Sequence, residues 1–261
     1  MPGFETLTLP LIAWIAAVIF IAGVSQGALG IGFPTLATPL IALVSDIRTA
    51  VIIVLLPCLA SVIVAIGKGG RLRRVLAEFW MMPLYMIVGA GIGTRLFIAY
   101  PGFPYTLLLA GVILVYLSLD RLGRTDWPLV RDHKSVSGVL FGVIAGISEG
   151  TANVAAPALI VYYLAISLDP TMFVQALNIC FLVGKSTQFV TLSTAGGVTA
   201  AQWLGTLPLA LVAGVGALYG VSIRNRIDAA TYRRWLKGAL FVIALILCAQ
   251  YLYVALNVNL L

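Results

Sequence analysis

The sequence predicts an all-α polytopic membrane protein with two inverted-topology repeats, each containing a broken or re-entrant helical segment and three transmembrane helices. Composition, the lengths of the apolar segments and an internal repeat support this prediction. The 261-residue chain is 61% hydrophobic and 10% charged, whereas soluble domains are about 45–50% apolar and about 25% charged. Together with a mean hydropathy of +1.08, this composition excludes a soluble fold.

The apolar segments have the lengths of membrane helices, since a helix needs about 20 residues to cross a hydrocarbon core of about 30 Å. They cover residues 10–44, 48–66, 78–98, 104–119, 136–164, 171–192, 203–223 and 235–256. Segment 10–44 would form a helix of about 52 Å, and Gly27, Gly30, Gly32 and Pro34 interrupt it. We expect it, like segment 136–164, to break, either by re-entering or by forming two short spans.

The positively charged residues predict the orientation, because cytoplasmic loops are enriched in Lys and Arg. They cluster in three loops: Lys68, Arg71, Arg73 and Arg74; Arg121, Arg124, Arg131 and Lys134; and Arg224, Arg226, Arg233, Arg234 and Lys237. If all three loops are cytoplasmic, both termini lie outside and the two halves have opposite orientations. This topology predicts a multi-pass protein of a bacterial cytoplasmic membrane, and it explains the net charge of +7 better than a nucleic-acid partner does.

An internal repeat independently predicts two related halves. Residues 22–34 align without gaps on residues 145–157, at an offset of 123. Asp46 and Asp169 keep this offset, as do Trp80 and Trp203, whereas the pair Gly89-x-Gly91 and Gly214-x-Gly216 needs two extra residues. We predict a first repeat over 1–122, a cytoplasmic linker over 123–135 and a second repeat over 136–261. Chance similarity between Gly- and Ala-rich segments explains the matching Ser, Pro and Asp residues less well.

The paired broken segments, each ending in Pro and followed by a short acidic turn, resemble the TauE/SafE sulfite-exporter family over nearly the whole chain. The glycine pattern departs from the family's richer run, because Phe33 follows Gly-Ile-Gly in the first half and Asn153-Val-Ala-Ala replaces the glycines in the second. The resemblance implies a secondary transporter that moves sulfite or an organosulfonate outward. Alternating access at a central site between the repeats is the expected mechanism.

A broken membrane helix exposes backbone groups that hydrocarbon cannot satisfy, so the two breaks predict one central polar cavity. A helix that starts after a break directs its free N–H groups into that cavity, which suits an anion. The candidate residues are Ser25, Gln26, Gly27, Gly30 and Gly32 in the first half and Ser148, Glu149, Gly150, Thr151 and Asn153 in the second. The Ser and Thr hydroxyls have an alternative role, which is to bind carbonyls of their own helix.

Lys185 lies in the middle of an apolar segment, where a cation costs at least about 2.5 kcal/mol. The spacing of Gln175, Asn178, Lys185 and Gln188 places them on one helical face, where they could line a polar path. Two roles for Lys185 stay open: direct attraction of the anion and a structural pair with Glu149. Since Glu149 replaces Gln26 of the first half, coupling to H⁺ is a further hypothesis, with Na⁺ as the alternative ion.

The same residues weigh against other functions. No nucleophile with a base and no His-x-x-x-His pair lies in the apolar segments, so we expect neither enzyme activity nor a metal or cofactor. A cation carrier would need several carboxylates at depth, whereas Glu149 is the one acidic residue in the interior of an apolar segment. A membrane assembly subunit, a carrier of thiosulfate, sulfate or a carboxylate, and a homodimer stay open.

Overall fold

The computed structural model describes residues 8–122, 128–195, 197–224, 238, 241–242 and 244–249. Most of the predicted last span, 235–256, therefore lies outside the described residues. The helices are α1 (Leu9–Leu29), α2 (Phe33–Ala42), α3 (Ile47–Gly69), α4 (Leu72–Phe79), α5 (Met81–Ala99), α6 (Tyr105–Leu122), α7 (Pro128–Asp132), α8 (Lys134–Ala152), α9 (Ala156–Ala165), α10 (Pro170–Thr194) and α11 (Ala200–Ile223). No strand occurs among the described residues.

Among the described residues, five helices are long and apolar enough to cross a membrane: α1, α3, α5, α8 and α11. Helices α2 and α9 and the first part of α6 are shorter apolar helices. Helix α10 has 25 residues but is less apolar because of its Gln, Asn and Lys side chains. Large apolar side chains such as Leu211 are exposed on the outer surface, as lipid contact requires. The predicted all-α membrane fold is confirmed.

Both broken segments break close to the positions that the sequence predicts. Helix α1 ends at Leu29, after which Gly30 and Gly32 have φ values of 72° and 109°. Helix α8 ends at Ala152, and the next residue, Asn153, has a φ of 59°. Glycine adopts this left-handed conformation freely, and Asn tolerates it better than most residues.

The second broken segment folds back on itself. Tyr162, near the end of α9, donates a hydrogen bond of 3.3 Å to the carbonyl oxygen of Lys134, the first residue of α8. The ring of Tyr162 also packs against Phe141 of α8, with 6.3 Å between centroids. The segment therefore forms a hairpin in which α9 packs back along α8. Whether it re-enters the membrane or forms two short spans stays a prediction.

Close packing of small residues joins each broken segment to a helix of the other half. A Cβ atom on Gly23 or Gly27 of α1 would lie 2.5 or 1.9 Å from the carbonyl oxygens of Ala213 and Ala217 in α11. The equivalent positions in α8, Gly146 and Gly150, would each place a Cβ 2.6 Å from a carbonyl oxygen of α5, those of Met86 and Ala90. Backbones can approach this closely only where the side chain is absent.

These contacts correct one alignment made from the sequence. Gly89 faces the Val143 carbonyl as Gly216 faces that of Phe20, whereas nothing lies within 4 Å of a Cβ on Gly214. The structural counterpart of Gly89 is therefore Gly216, so the offset is 127 here and not 125. The chain between α10 and the contact face of α11 is therefore four residues longer, rather than two, than the chain between α3 and the contact face of α5.

Helices α3 and α10, which begin at equivalent positions, pack antiparallel. Gln175, near the start of α10, donates to the carbonyl oxygen of Ile66 near the end of α3. Farther along α10, Lys185 binds Asn153, whose amide nitrogen reaches Val51 O near the start of α3. Antiparallel equivalent helices are what an inverted repeat requires. The inverted topology stays a prediction, which this packing supports.

Two short helices differ from the sequence predictions, and one tryptophan is buried. Helix α4 occupies part of the first basic loop, so the predicted span 78–98 begins at Met81, and α7 lies within the predicted linker. Trp14 and Trp80 are exposed, as expected of interfacial anchors, but Trp203 is buried. Its indole N–H donates to Ser193 Oγ, and its ring lies 4.9 Å from that of Phe189, between centroids. Trp127 and Trp235 lie outside the described residues.

Candidate functional site

Both helix breaks lie against α10. Asn178 contacts the first break, and Lys185 and Gln188 contact the second. Since Lys185 follows Asn178 by seven residues, these contacts are about 10 Å apart along the helix axis. Nearly all the predicted polar side chains are buried: Ser25, Gln26, Glu149, Thr151, Asn153, Asn178, Lys185 and Gln188. The structure thus brings the predicted site residues together and closes them off from solvent.

Neutral amides hold the first break. The Gln26 amide nitrogen donates to Asn178 Oδ1 at 2.7 Å and to the Gly30 carbonyl oxygen at 3.2 Å. Its Oε1 accepts from the backbone N–H of Phe33, the first residue of α2, at 3.0 Å. Asn178 Nδ2 donates to the same Gly30 oxygen at 2.8 Å. These bonds replace the helical hydrogen bonds that the break removes.

The glycines of the first break are required by the packing and the backbone conformation at their positions. A Cβ on Gly30 would lie 2.0 Å from Val174 Cγ1 of α10, and Gly30 and Gly32 both have positive φ. Gly27 is needed for contact with α11. The backbone of the break therefore packs directly against side chains of α10, which leaves no room for a side chain at Gly30.

The hydroxyl groups at the breaks bind backbone in this conformation. Ser25 Oγ donates to Ile31 O at 3.2 Å, and Thr151 Oγ1 donates to Ile147 O, one turn earlier, at 2.7 Å. Thr151 therefore binds its own helix, as the alternative role predicts, whereas Ser25 binds a carbonyl of the break beyond the end of α1. Ser148 is half-buried, and its carbonyl oxygen accepts from Val154 N at 3.3 Å.

A buried cation holds the second break. The Lys185 ammonium lies 2.5 Å from Asn153 Oδ1, 2.8 Å from Glu149 Oε1 and 3.1 Å from Gln188 Oε1. Lys185 and Glu149 are both 0% exposed. Because an ammonium group has three N–H donors, each donor has one oxygen neighbour. The pair with Glu149, one of the two roles predicted for Lys185, is present.

Glu149 also caps the helix that follows the break. Its Oε2 accepts from the backbone N–H of Ala155 at 3.0 Å, just before α9 begins. A negative charge at a helix N-terminus is favoured by the helix dipole. The carboxylate therefore occupies the environment, a cation and a helix N-terminus, that the sequence predicted for a substrate anion.

The second break is tied to the first half of the chain. Asn153 Nδ2 donates to Thr38 Oγ1 of α2 at 3.3 Å and to Val51 O of α3 at 3.4 Å. Gln188 Nε2 donates to the Glu149 and Gly150 carbonyl oxygens at 3.3 Å. Thr38 was missed by the sequence analysis, although a Thr in the interior of a short apolar helix was a signal that could have identified it.

Gln175 does not join the polar face that the spacing predicts. It donates to Ile66 O of α3 and contacts Gly69, whose Cβ would lie 2.0 Å from Gln175 Oε1. Its role is to pack the start of α10 against the end of α3. The predicted polar face is therefore reduced to Asn178, Lys185 and Gln188.

A separate open cavity of about 610 Å³ lies at the ends of α4, α5, α8 and α9, beside Lys134 and Tyr162. Ion pairs already balance two of its cationic neighbours, since Arg74 binds Glu78 at 2.8 Å and Arg71 binds Asp169 at 2.9 Å. It adjoins the start of α8, whereas Asn153 follows the end of that helix. We assign it no role in binding at the breaks.

Comparison with known proteins gives one match. Residues 15–247 match the family described as "Sulfite exporter TauE/SafE". Comparison with curated proteins and with solved structures gives no match. The matched range includes both helix breaks and α10.

Proposed function

The chain belongs to the sulfite exporter TauE/SafE family, whose members are membrane transporters of sulfur anions, and from this membership we propose a more specific activity. The protein carries sulfite or an organosulfonate across the bacterial cytoplasmic membrane by alternating access. The site lies between the two repeats, at the breaks that face α10. The outward direction follows from the family description alone.

One observation carries this proposal: a fully buried Lys185 next to the start of α9. A cation in the middle of a membrane protein is costly, and the amides at a helix N-terminus favour negative charge. Together, the Lys185 ammonium and the amides at the start of α9 suit an anion with two or more oxygens. A cation carrier fits less well, because the one carboxylate at the breaks is already paired with Lys185.

Alternating access has a structural counterpart in the contacts between the two halves. The hydrogen bonds from Gln26 to Asn178 and from Asn153 to Thr38 each join a break to a helix of the other half. Opening of either break toward water would exchange these bonds for bonds to water or substrate. The hairpin α8–α9 is the element that we expect to move.

Binding can be tested with the detergent-purified protein by thermal shift, since a ligand that binds the folded state stabilises it. The screen uses sulfite, methanesulfonate, thiosulfate, sulfate, acetate and sodium chloride. We expect saturable stabilisation by a sulfur oxyanion and flux of that anion in proteoliposomes. Stabilisation by acetate alone would reassign the substrate to a carboxylate, and absence of flux for all these anions would contradict the proposal.

A further inference from the structure

We propose that Glu149 is a built-in competitor of the substrate anion, and that the anion binds Lys185 only after Glu149 has taken up a proton. This inference rests on the proposed function and adds its coupling ion. One proton and one monovalent anion would then cross the membrane in the same direction, so outward transport is driven by the concentration gradient of the anion and carries the proton out against its own gradient. Glu149 and Lys185 together form the coupling site.

The position of the Glu149 carboxylate supports this inference. Its two oxygens bind the two groups suited to an anion, the Lys185 ammonium at 2.8 Å and the Ala155 N–H at 3.0 Å. Oε1 makes the ion pair without an aligned hydrogen bond, so a proton or a substrate oxygen could replace that contact. The carboxylate is fully buried, and no solvent screens it. Carboxylate and substrate anion therefore compete for the same partners.

The first break shows that the connection between two half-helices needs no charge at this position. Gln26, at the equivalent position, caps its own following helix through Phe33 N with a neutral amide oxygen. An acceptor oxygen is thus sufficient to connect the two half-helices. The charge on Glu149 instead balances the charge on Lys185, and the first break has no such cation.

Charge balance then links the proton to the anion. The pair of ionised Glu149 and Lys185 is neutral, and so is the set of protonated Glu149, Lys185 and a bound monoanion. Adding only the proton leaves a net buried positive charge, and adding only the anion leaves a net buried negative charge, both of which are penalised at low dielectric. The protein should therefore alternate between the two neutral states. The proton enters Glu149 from the aqueous phase to which the site opens and leaves it on the other side.

Few other ionisable groups face Glu149 among the described residues. Helix α10 contributes Lys185, and α3 contributes the buried Cys58 thiol, which interacts electrostatically with both members of the pair. Helix α5 packs on this part of α8 with Met86, Ala90 and Thr94. Tyr105 of α6 donates to Leu96 O, and α9 presents its N-terminus. Arg131 and Asp132 of α7 lie at the opposite end of α8.

The test uses proteoliposomes that contain a trapped pH-sensitive dye and a methanesulfonate gradient. Methanesulfonate keeps its single charge between pH 5 and 9, so any pH dependence belongs to the protein. We expect protons to follow the anion at one per anion, and a potential set by potassium and valinomycin to leave the rate unchanged. Methanesulfonate flux without proton movement would overturn the inference while leaving the proposed function intact. Failure of every anion to move would instead overturn the proposed function.

Glu149→Gln provides the matching variant, because Gln occupies the equivalent position in the first half. We expect it to retain methanesulfonate binding and exchange, with proton movement lost and the pH dependence removed. Glu78→Gln, which removes an exposed carboxylate paired with Arg74, is the control and should behave as wild type. Coupled proton movement in Glu149→Gln would overturn the inference.

A second measurement applies if Glu149→Gln does not fold. For the wild-type protein we expect the Kd for methanesulfonate to rise by about tenfold per pH unit once Glu149 is ionised, because binding requires an added proton. A Kd that is constant from pH 5 to 9 would overturn the inference.

Discussion

The first helix break is held by neutral amides and the second by an ion pair, although both connect two half-helices in the same way. Gln26 and Glu149, at equivalent positions, each accept a hydrogen bond from a backbone N–H at the start of the following helix. The comparison teaches that the broken fold needs an acceptor at this position but not a charge.

The difference extends to the helices that cover the breaks. Asn178 and Lys185 of α10 serve the first and second break respectively. The residues of α3 at the same positions, 123 residues earlier, are Leu55 and Val62, which are fully buried and apolar. The single helix α10 thus contributes polar side chains to both breaks. The site is therefore asymmetric, although the surrounding backbone repeats.

Removal of the buried cation should have the largest effect. Lys185→Ala leaves the Glu149 carboxylate unpaired, so we expect a loss of about 3–5 kcal/mol of stability and loss of anion binding. The double variant Lys185→Ala with Glu149→Gln makes the second break neutral like the first, and it should recover the fold but not transport. Thermal unfolding and flux measurements check both. Full anion binding by Lys185→Ala would contradict the assigned role of Lys185.

Disruption of the neutral break should cost less. Gln26→Leu leaves Phe33 N and Asn178 without their side-chain partner, and an unsatisfied buried polar group costs about 1–3 kcal/mol. We expect a lower melting temperature with the ratio of protons to anions unchanged, because no charge is altered. A changed ratio would show that the first break also takes part in coupling.

Substitution of the interface glycines tests whether the two packing interfaces are equivalent. Gly27→Ala and Gly150→Ala place a Cβ 1.9 and 2.6 Å from backbone carbonyl oxygens, and overpacking typically costs about 1–3 kcal/mol. Gly27→Ala should have the larger effect. Gly214→Ala is the control, since its Cβ meets nothing within 4 Å; thermal unfolding of the three variants should separate it from the others.

The smallest effect is expected at the helix caps. Asp46 and Asp169 each accept from the amides two and three residues later, at the starts of α3 and α10. Replacement of either by Ala should cost about 1 kcal/mol. The exposed bridge from Asp169 to Arg71 should add little. A much larger loss at one position, measured as a difference in melting temperature, would show that the two caps are not equivalent.

Much of the fold follows from local features of the sequence. Composition and segment length determined a helical membrane protein. The glycines near residue 30 located the first break, and the internal repeat placed the second at the equivalent position. The internal alignment also identified Gln26 and Glu149 as counterparts. These features are readable without knowledge of which helices touch.

The tertiary structure decided which partners those residues have. Lys185 and Glu149 are 36 positions apart on different helices, so spacing alone left open whether the ammonium group meets a substrate or a carboxylate. Packing between helices likewise determined that α9 returns along α8 and that Gln175 contacts α3. It also determined that Gly216, and not Gly214, is the structural counterpart of Gly89. The physical reason is that helical periodicity specifies a face, whereas the group that meets this face is fixed only when the two helices pack.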